Sequence, residues 1–223
     1  MINRLLIIPA RGGSKRIKLK NIKLFKGKPI ISYSLKESLK SKLFKNIHVS
    51  TDDERVKKVV EKIKKGTSHN RPKFLSTSNA PLIKVFEYIV KLYIKEKKYF
   101  DEVWFLNPCS PLIKSKDLIN ASLFFKKKKN NSLLSVCKYS PPIQWAFSLK
   151  SGTLTPENVK SQKKNSQSFK NYYYDTGNFG IFSSNVFYKK NKINFSGYVI
   201  ERSKAVDIDT MALFLLAPFE LVN

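Results

Sequence analysis

Cysteine and histidine are scarce in this chain, with two of each in 223 residues. Cys109 and Cys137 are too few and too isolated for a disulfide framework or a cysteine metal site, a usage that fits a reducing cytoplasm. His48 and His69 leave little basis for histidine-based metal or triad chemistry. Long apolar runs are also missing. The opening run "LLII" is too short for a signal peptide, and "MALFLLAPF" at 211–219 is too short to span a bilayer. The expectation is a soluble, cytoplasmic protein with no membrane partner. Acidic residues are the third shortage: 16 against 43 basic ones, for a formal charge of +27. Such an excess usually points to a polyanion. Here only six of the basic residues are arginine, and lysines fall in nearly every segment, including "FFKKKKN" at 124–130. A genome-wide bias toward Lys and Asn produces the same pattern, so we read the charge as a solvated surface. The aromatic residues do not alternate with basic ones as a stacking platform requires, and no specific nucleic-acid partner is expected. A basic nucleic-acid-binding protein is the rival class, recognisable by steeply salt-dependent binding.

What is present is the composition of a globular protein, 42% apolar and 13% aromatic, which predicts one domain over 1–223. Short runs rich in Ile, Val and Phe at 4–8, 47–50, 102–106 and 133–137 predict buried strands. Between them, "PIISYSLKESLKSKLF", "DERVKKVVEKIKK", "PLIKVFEYIVKLYIKE" and "KDLINASLFFKKK" repeat apolar residues at helical spacing. The alternation argues for an α/β fold, with a mostly parallel sheet and helices on both faces, and it directs attention to the loops after the strands. From 139 to 175 the pattern gives way to diprolines, turn signals and aromatics. This stretch reads as an excursion of strands and loops, a dimerisation or lid element, that rejoins the sheet around 178–183.

Four loops carry candidate chemistry. "IPARGGSKRIKLKN", residues 8–21, follows a predicted strand with two glycines and a cluster of basic side chains, which suits phosphate groups. It is neither a Walker A sequence nor GxGxxG, and an exposed basic turn remains the alternative. In "HVSTDDERVKK", Thr51 and Glu54 have capping-box spacing, so a structural role is preferred there over a direct one for Asp52 or Asp53. "FLNPCSPL" presents Asn107 and Ser110 on a proline-stiffened turn; a rigid connection with Ser115 as helix N-cap is the alternative. In "VDIDTMALFLLA", Asp207 and Asp209 alternate along an extended segment and could share a divalent cation. Asp209 is equally suited to cap a helix.

Taken together, these loops resemble the acylneuraminate cytidylyltransferase family, the CMP-nonulosonate synthetases. The likeness runs in family order through "IIPARGGSKRIKLKNIKLFKGKPIISYSL", "VSTDDERV", "NRPKFLS", "FLNPCSPL", "YYDTGNF" and "VDIDT". The stretches "SPPIQWAFSL", "SQSFKNYYYDTGNF" and "AVDIDT" look most like the pseudaminic acid cytidylyltransferases. The resemblance implies a three-layer Rossmann-like nucleotidyltransferase fold. It implies transfer of CMP from CTP to the anomeric hydroxyl of a nine-carbon 2-keto sugar acid, with Mg²⁺ and release of pyrophosphate. N-acetylneuraminic, legionaminic or a shorter ulosonic acid are the alternative acceptors. Carried over by residue, Arg11 and Lys20 match the catalytic basic contacts to phosphate. Gly12, Gly13 and Ser14 line the triphosphate loop, with Lys15 and Arg16 as auxiliaries, and Asn21 and Arg71 face the nucleotide. Asn107, which stands where sialic acid enzymes have glutamine, faces the sugar acid together with Gln167 and Asp175. Asp207 and Asp209 match the metal-binding aspartates. A homodimer through the excursion is also implied. Lys18 departs from the pattern, since relatives commonly carry proline there.

Overall fold

The computed structural model describes residues 2–14, 16–66, 68–206 and 208. In chain order it contains β1 (Arg4–Pro9), β2 (Leu24–Phe25), β3 (Lys28–Pro29), α1 (Ile31–Lys40), β4 (Asn46–Thr51), α2 (Glu54–Glu61) and β5 (Ser68–Asn70). There follow α3 (Leu82–Lys95), β6 (Glu102–Leu106), α4 (Ser115–Lys126), β7 (Ser132–Lys138), β8 (Phe147–Lys150) and β9 (Thr153–Pro156). The last elements are β10 (Tyr173–Ser183), α5 (Asn185–Tyr188) and β11 (Phe195–Val199). Among the described residues no helix is long and apolar enough to cross a membrane.

Alternation along β1 sends its side chains to both faces of the sheet. Leu6 and Ile8 join one core with Ile31 and Leu35 of α1, Val56 and Val60 of α2, and Leu118, Ala121 and Phe125 of α4. Leu5 and Ile7 join the other with Val85, Phe86, Ile89, Val90 and Tyr93 of α3. The apolar positions of α3 therefore recur at helical spacing on the face that meets the sheet. Helices lie on both faces, as the alternation of strand and helix implies, and every one of the four predicted helices forms.

The main sheet has seven strands in the order β11-β7-β10-β6-β1-β4-β5. β1 pairs in parallel with both β4 and β6, β4 with β5 and β7 with β11. β10 is inserted antiparallel between β6 and β7. The chain leaves β1 toward β4 on one side and later crosses to β6 on the other. The carboxyl ends of β1 and β6 thus flank the point where strand order reverses, the place where α/β sheets open a crevice.

The excursion leaves the sheet after β7 and returns in β10, which begins at Tyr173, ahead of the predicted re-entry. Within it β8 and β9 form a separate two-stranded ribbon. Its two turn residues, Ser151 and Gly152, both have positive φ, 47° and 83°, the geometry that matches strand twist in a tight hairpin. Trp145 anchors the excursion by donating its indole N–H to the Ser161 carbonyl at 3.0 Å and by an edge contact with Phe169.

Two helix starts differ from the sequence reading. Thr51 does not cap α2, because it is still in β4, opposite Asn70 of β5. Asp53 is the N-cap, accepting the Arg55 N–H at 2.9 Å. Ser115 is already helical, and Lys114 holds the cap position of α4. The Asp117 carboxylate accepts the Lys114 N–H, and Glu37 of α1 accepts that of Ser115, so acids in place of a serine hydroxyl satisfy these donors.

A buried ionic knot ties β1 to β6 and α4. Arg4 Nε donates to Glu102 Oε2 at 2.7 Å, with both side chains under one-tenth exposed. Trp104 Nε1 donates to the same oxygen, and Arg4 also reaches the Ser122 hydroxyl. Glu102→Ala would leave the arginine charge buried and uncompensated, and is expected to cost about 3–5 kcal/mol of stability. Urea denaturation checks this, and a loss below about 1 kcal/mol would show that the pair is not an essential tie.

Candidate active site

The loop leaving β1 is fastened to the tip of β4. Ala10 N–H donates to the Ser50 carbonyl at 2.8 Å, and Gly12 N–H donates to Asp52 Oδ1 at 2.8 Å. A Cβ on Gly12 would lie 2.6 Å from Asp53 Oδ2 and 2.7 Å from Asp53 Cβ, so only glycine allows this approach. Asp53 is in turn gripped by Arg55, with NH2 to Oδ2 at 2.6 Å. This hydrogen-bonded guanidinium holds the Asp53 carboxyl below the usual carboxylate range. Beside Gly13, by contrast, the space is open.

Farther along, Leu19 takes a left-handed conformation, φ 54°, at a cost of roughly 1–2 kcal/mol. It turns the chain back into the short 3-10 turn Lys20–Ile22. Asn21, buried there, donates Nδ2 to the Arg11 carbonyl at 2.8 Å, and its Oδ1 receives the Cys109 thiol at 3.4 Å. A single amide thereby joins the two halves of the first loop to the loop after β6.

That second loop begins at Asn107. Its Oδ1 accepts the Cys109 N–H at 2.9 Å and its Nδ2 donates to the Gly177 carbonyl at 3.2 Å. Ser34 of α1 donates its hydroxyl to the Asn107 carbonyl. Behind the first loop lies Arg71, buried, with its N–H on the Thr51 carbonyl and its guanidinium on the Leu75 carbonyl. Burial lowers the Arg71 pKa, the nearby Asp52 opposes that shift, and Arg11 adds to it.

Between the ends of β1 and β6 these loops enclose a cleft of about 450 Å³. Arg11, Ser14, Arg16, Lys20 and Asn21 line it from the first loop, Phe105, Asn107 and Pro108 from β6 and beyond, Ser78 from the loop before α3 and Leu82 from the first residue of α3. Three cationic side chains therefore converge on one volume at the switch point. Gly12 and Arg71 support this wall from behind rather than line it. Asp175 lies on β10, where its carboxylate accepts the Gly177 N–H at 2.9 Å. Gln167 is elsewhere: it lines a second cavity in the excursion, with Tyr139, Gln144 and Tyr172, that shares no residue with the cleft. Lys15, Asp207 and Asp209 lie outside the described residues. Their neighbours Val206 and Ile208 pack with Ile17, Phe25, Ile30 and Cys109, directly against the first loop.

Sequence reasoning did not single out Ser78, Leu82 and Phe105 as cleft residues, because nothing in their local spacing distinguishes them from core or cap positions. Asp52 was legible as a carboxylate at a strand tip, but its contact with Gly12 depends on β1 and β4 being neighbours.

The family model described as cytidylyltransferase matches residues 5–207. The chain belongs to the cytidylyltransferase family. Among its relatives, a pseudaminic acid cytidylyltransferase of Campylobacter jejuni is 33% identical over 94% of this chain and 92% of its own length. An N-acylneuraminate cytidylyltransferase of Escherichia coli is 28% identical over 95% of this chain, which corresponds to 50% of that protein. Among solved structures, a CMP:2-keto-3-deoxy-manno-octonic acid synthetase complexed with CTP superimposes with a TM-score of 0.74 over 98% of both chains, at 15% identity. This cytidylyltransferase thus has the α/β nucleotidyltransferase fold.

Gly12→Ala in this cytidylyltransferase must push the first loop away from the β4 tip and break the bond to Asp52. The expected destabilisation is about 1–3 kcal/mol, read from the urea midpoint, and an unchanged midpoint would show that the loop is not held this closely.

Proposed function

We propose that this protein transfers CMP from CTP to the anomeric hydroxyl of a nine-carbon 2-keto sugar acid, pseudaminic acid, releasing pyrophosphate. The observation that carries the reading is the convergence of Arg11, Arg16 and Lys20 on one cleft at the strand-order switch. The relatives support the reaction, and the Campylobacter jejuni protein supports the acceptor. The sugar hydroxyl attacks the α-phosphorus, the bond to the β-phosphate oxygen breaks, and one proton is released. A reaction of this kind is accelerated by positioning and by neutralising charge on the phosphates.

In this reading Arg11 and Lys20 neutralise the triphosphate, with Ser14, Arg16 and Lys15 assisting. Gly12 N–H is already given to Asp52 and Ser14 N–H to the Gly12 carbonyl, so of these three residues it is Gly13, beside open space, whose backbone N–H would meet phosphate. Asn21 orients the nucleoside, Arg71 acts from behind the wall by holding the first loop's support in place, and Asn107 and Asp175 meet the acceptor. Mg²⁺ is the proposed cofactor, held by Asp207 and Asp209, and it would shield phosphate charge when bound. The packing of Val206 and Ile208 against the first loop fits that assignment.

The excursion exposes Phe147, Leu149, Leu154, Val159 and Tyr172, apolar area that a second copy of the chain would cover. Gln167, remote from its own chain's cleft, would then reach the partner's. The expected state is a homodimer, and sedimentation showing only monomer at working concentrations would contradict it.

Incubation with CTP, Mg²⁺ and a panel of sugar acids, followed by pyrophosphate release, tests the reaction and ranks the acceptors. Pseudaminic acid is expected to be preferred over N-acetylneuraminic and legionaminic acids; release with none of them would overturn the reading. Lys20→Ala and Asp209→Asn are each expected to lower the rate by about a hundredfold or more. Near-normal turnover of either folded variant removes that residue from the mechanism.

A further inference from the structure

Asn178 has no part in the roles above, yet it is 1% exposed and stands where the register of β10 against β7 shifts, between Asp175 and Gly180. Such bulges re-aim a side chain that a regular ladder would hold in line. This one is pinned to β7 through Ser135: Thr176 Oγ1 donates to the Ser135 carbonyl at 3.0 Å, and Phe179 N–H donates to the Ser135 hydroxyl at 3.1 Å. Ser135 and Thr176 are both buried.

Held this way, Asn178 spans two segments distant in sequence. Its carbonyl accepts the Asn107 N–H at 2.7 Å, and its Oδ1 accepts the Ser110 hydroxyl at 2.6 Å. Its Nδ2 donates to the Lys204 carbonyl at 3.0 Å. Asn107 is in the cleft wall, and Lys204 closes the turn that leads into Val206 and Ile208, which pack against the first loop. An asparagine supplies one acceptor and one donor group on a short stem, whereas a carboxylate of the same shape has no donor.

We infer that Asn178 is a positioning residue, which sets the separation between the cleft wall at Asn107 and the turn at 202–204 that leads into Val206. The inference rests on the proposed cytidylyl transfer, since it is the reacting groups of that transfer whose spacing would be set. A misplacement of about 1 Å costs on the order of a hundredfold in rate.

The test uses the full chain and Asn178→Asp, which keeps the shape and the acceptor but sets a carboxylate oxygen against the Lys204 carbonyl. Expected are a fall in kcat of about 10- to 100-fold, CTP affinity by calorimetry without acceptor within about threefold of wild type, and faster amide exchange over 202–206 but not over 10–14. Ser110→Ala, which removes one bond only, is expected to lower kcat in the same direction by less, and carries the test if Asn178→Asp does not fold. Unchanged kcat, or unchanged exchange at 202–206, overturns the inference. A fall in kcat matched by equal losses of CTP affinity and melting temperature also overturns it, because that is a general structural role. A wild-type protein that transfers CMP to no sugar acid sinks the functional reading instead, and the exchange comparison still decides whether Asn178 couples the two segments.

Discussion

Strand β1 has parallel neighbours on both sides and helices over both faces, so its side chains from Leu5 to Ile8 are fully buried and its backbone is paired. Between the buried Arg4 at its start and the loop beyond Pro9, the strand offers no polar side chain. Because β4 and β6 lie on opposite sides of β1, the loop emerging there cannot be covered by both neighbours, and a crevice opens at its β6 side. The cleft, the placement of Arg11 and Lys20, and the approach of Asn107 all depend on that arrangement.

Charge is then sorted around the loop. Arg11, Arg16 and Lys20 face the cleft, while neither Asp52 nor Asp53 lines it. Asp52 is engaged by the Gly12 amide and Asp53 by Arg55, so these two carboxylates brace the loop at the β4 tip and stay outside the cleft lining. Asn21 and Asn178 act as neutral ties, joining loops through amides and adding no charge. In a chain of +27, it is this local placement, not the total, that sets these three basic groups apart from the lysines spread over the rest of the surface.

The layered α/β architecture was legible because β1, β4, β6 and β7 are short apolar runs and the helices between them keep a helical period. The insertion of β10 antiparallel between β6 and β7 was not, since the alternation of apolar residues carries no direction and its bulge depends on Ser135, a residue of another strand. The start of α2 was misplaced for a related reason: Thr51 has the chemistry of a cap, but pairing with β5 keeps it in the strand. Within the site, the basic loop was visible from glycines after a strand. That Asn107 uses both ends of its amide on Cys109 and Gly177, or that Gln167 sits in a different cavity, emerges only in the folded chain.

A crystal structure of the protein grown with CTP would show directly whether the cleft between β1 and β6 receives the triphosphate. Phosphate density is expected within hydrogen-bond distance of Arg11, Gly13, Ser14 and Lys20, with the base toward Asn21. Triphosphate density bound elsewhere on the lysine-rich surface, with this cleft filled by solvent at saturating CTP, would contradict that placement.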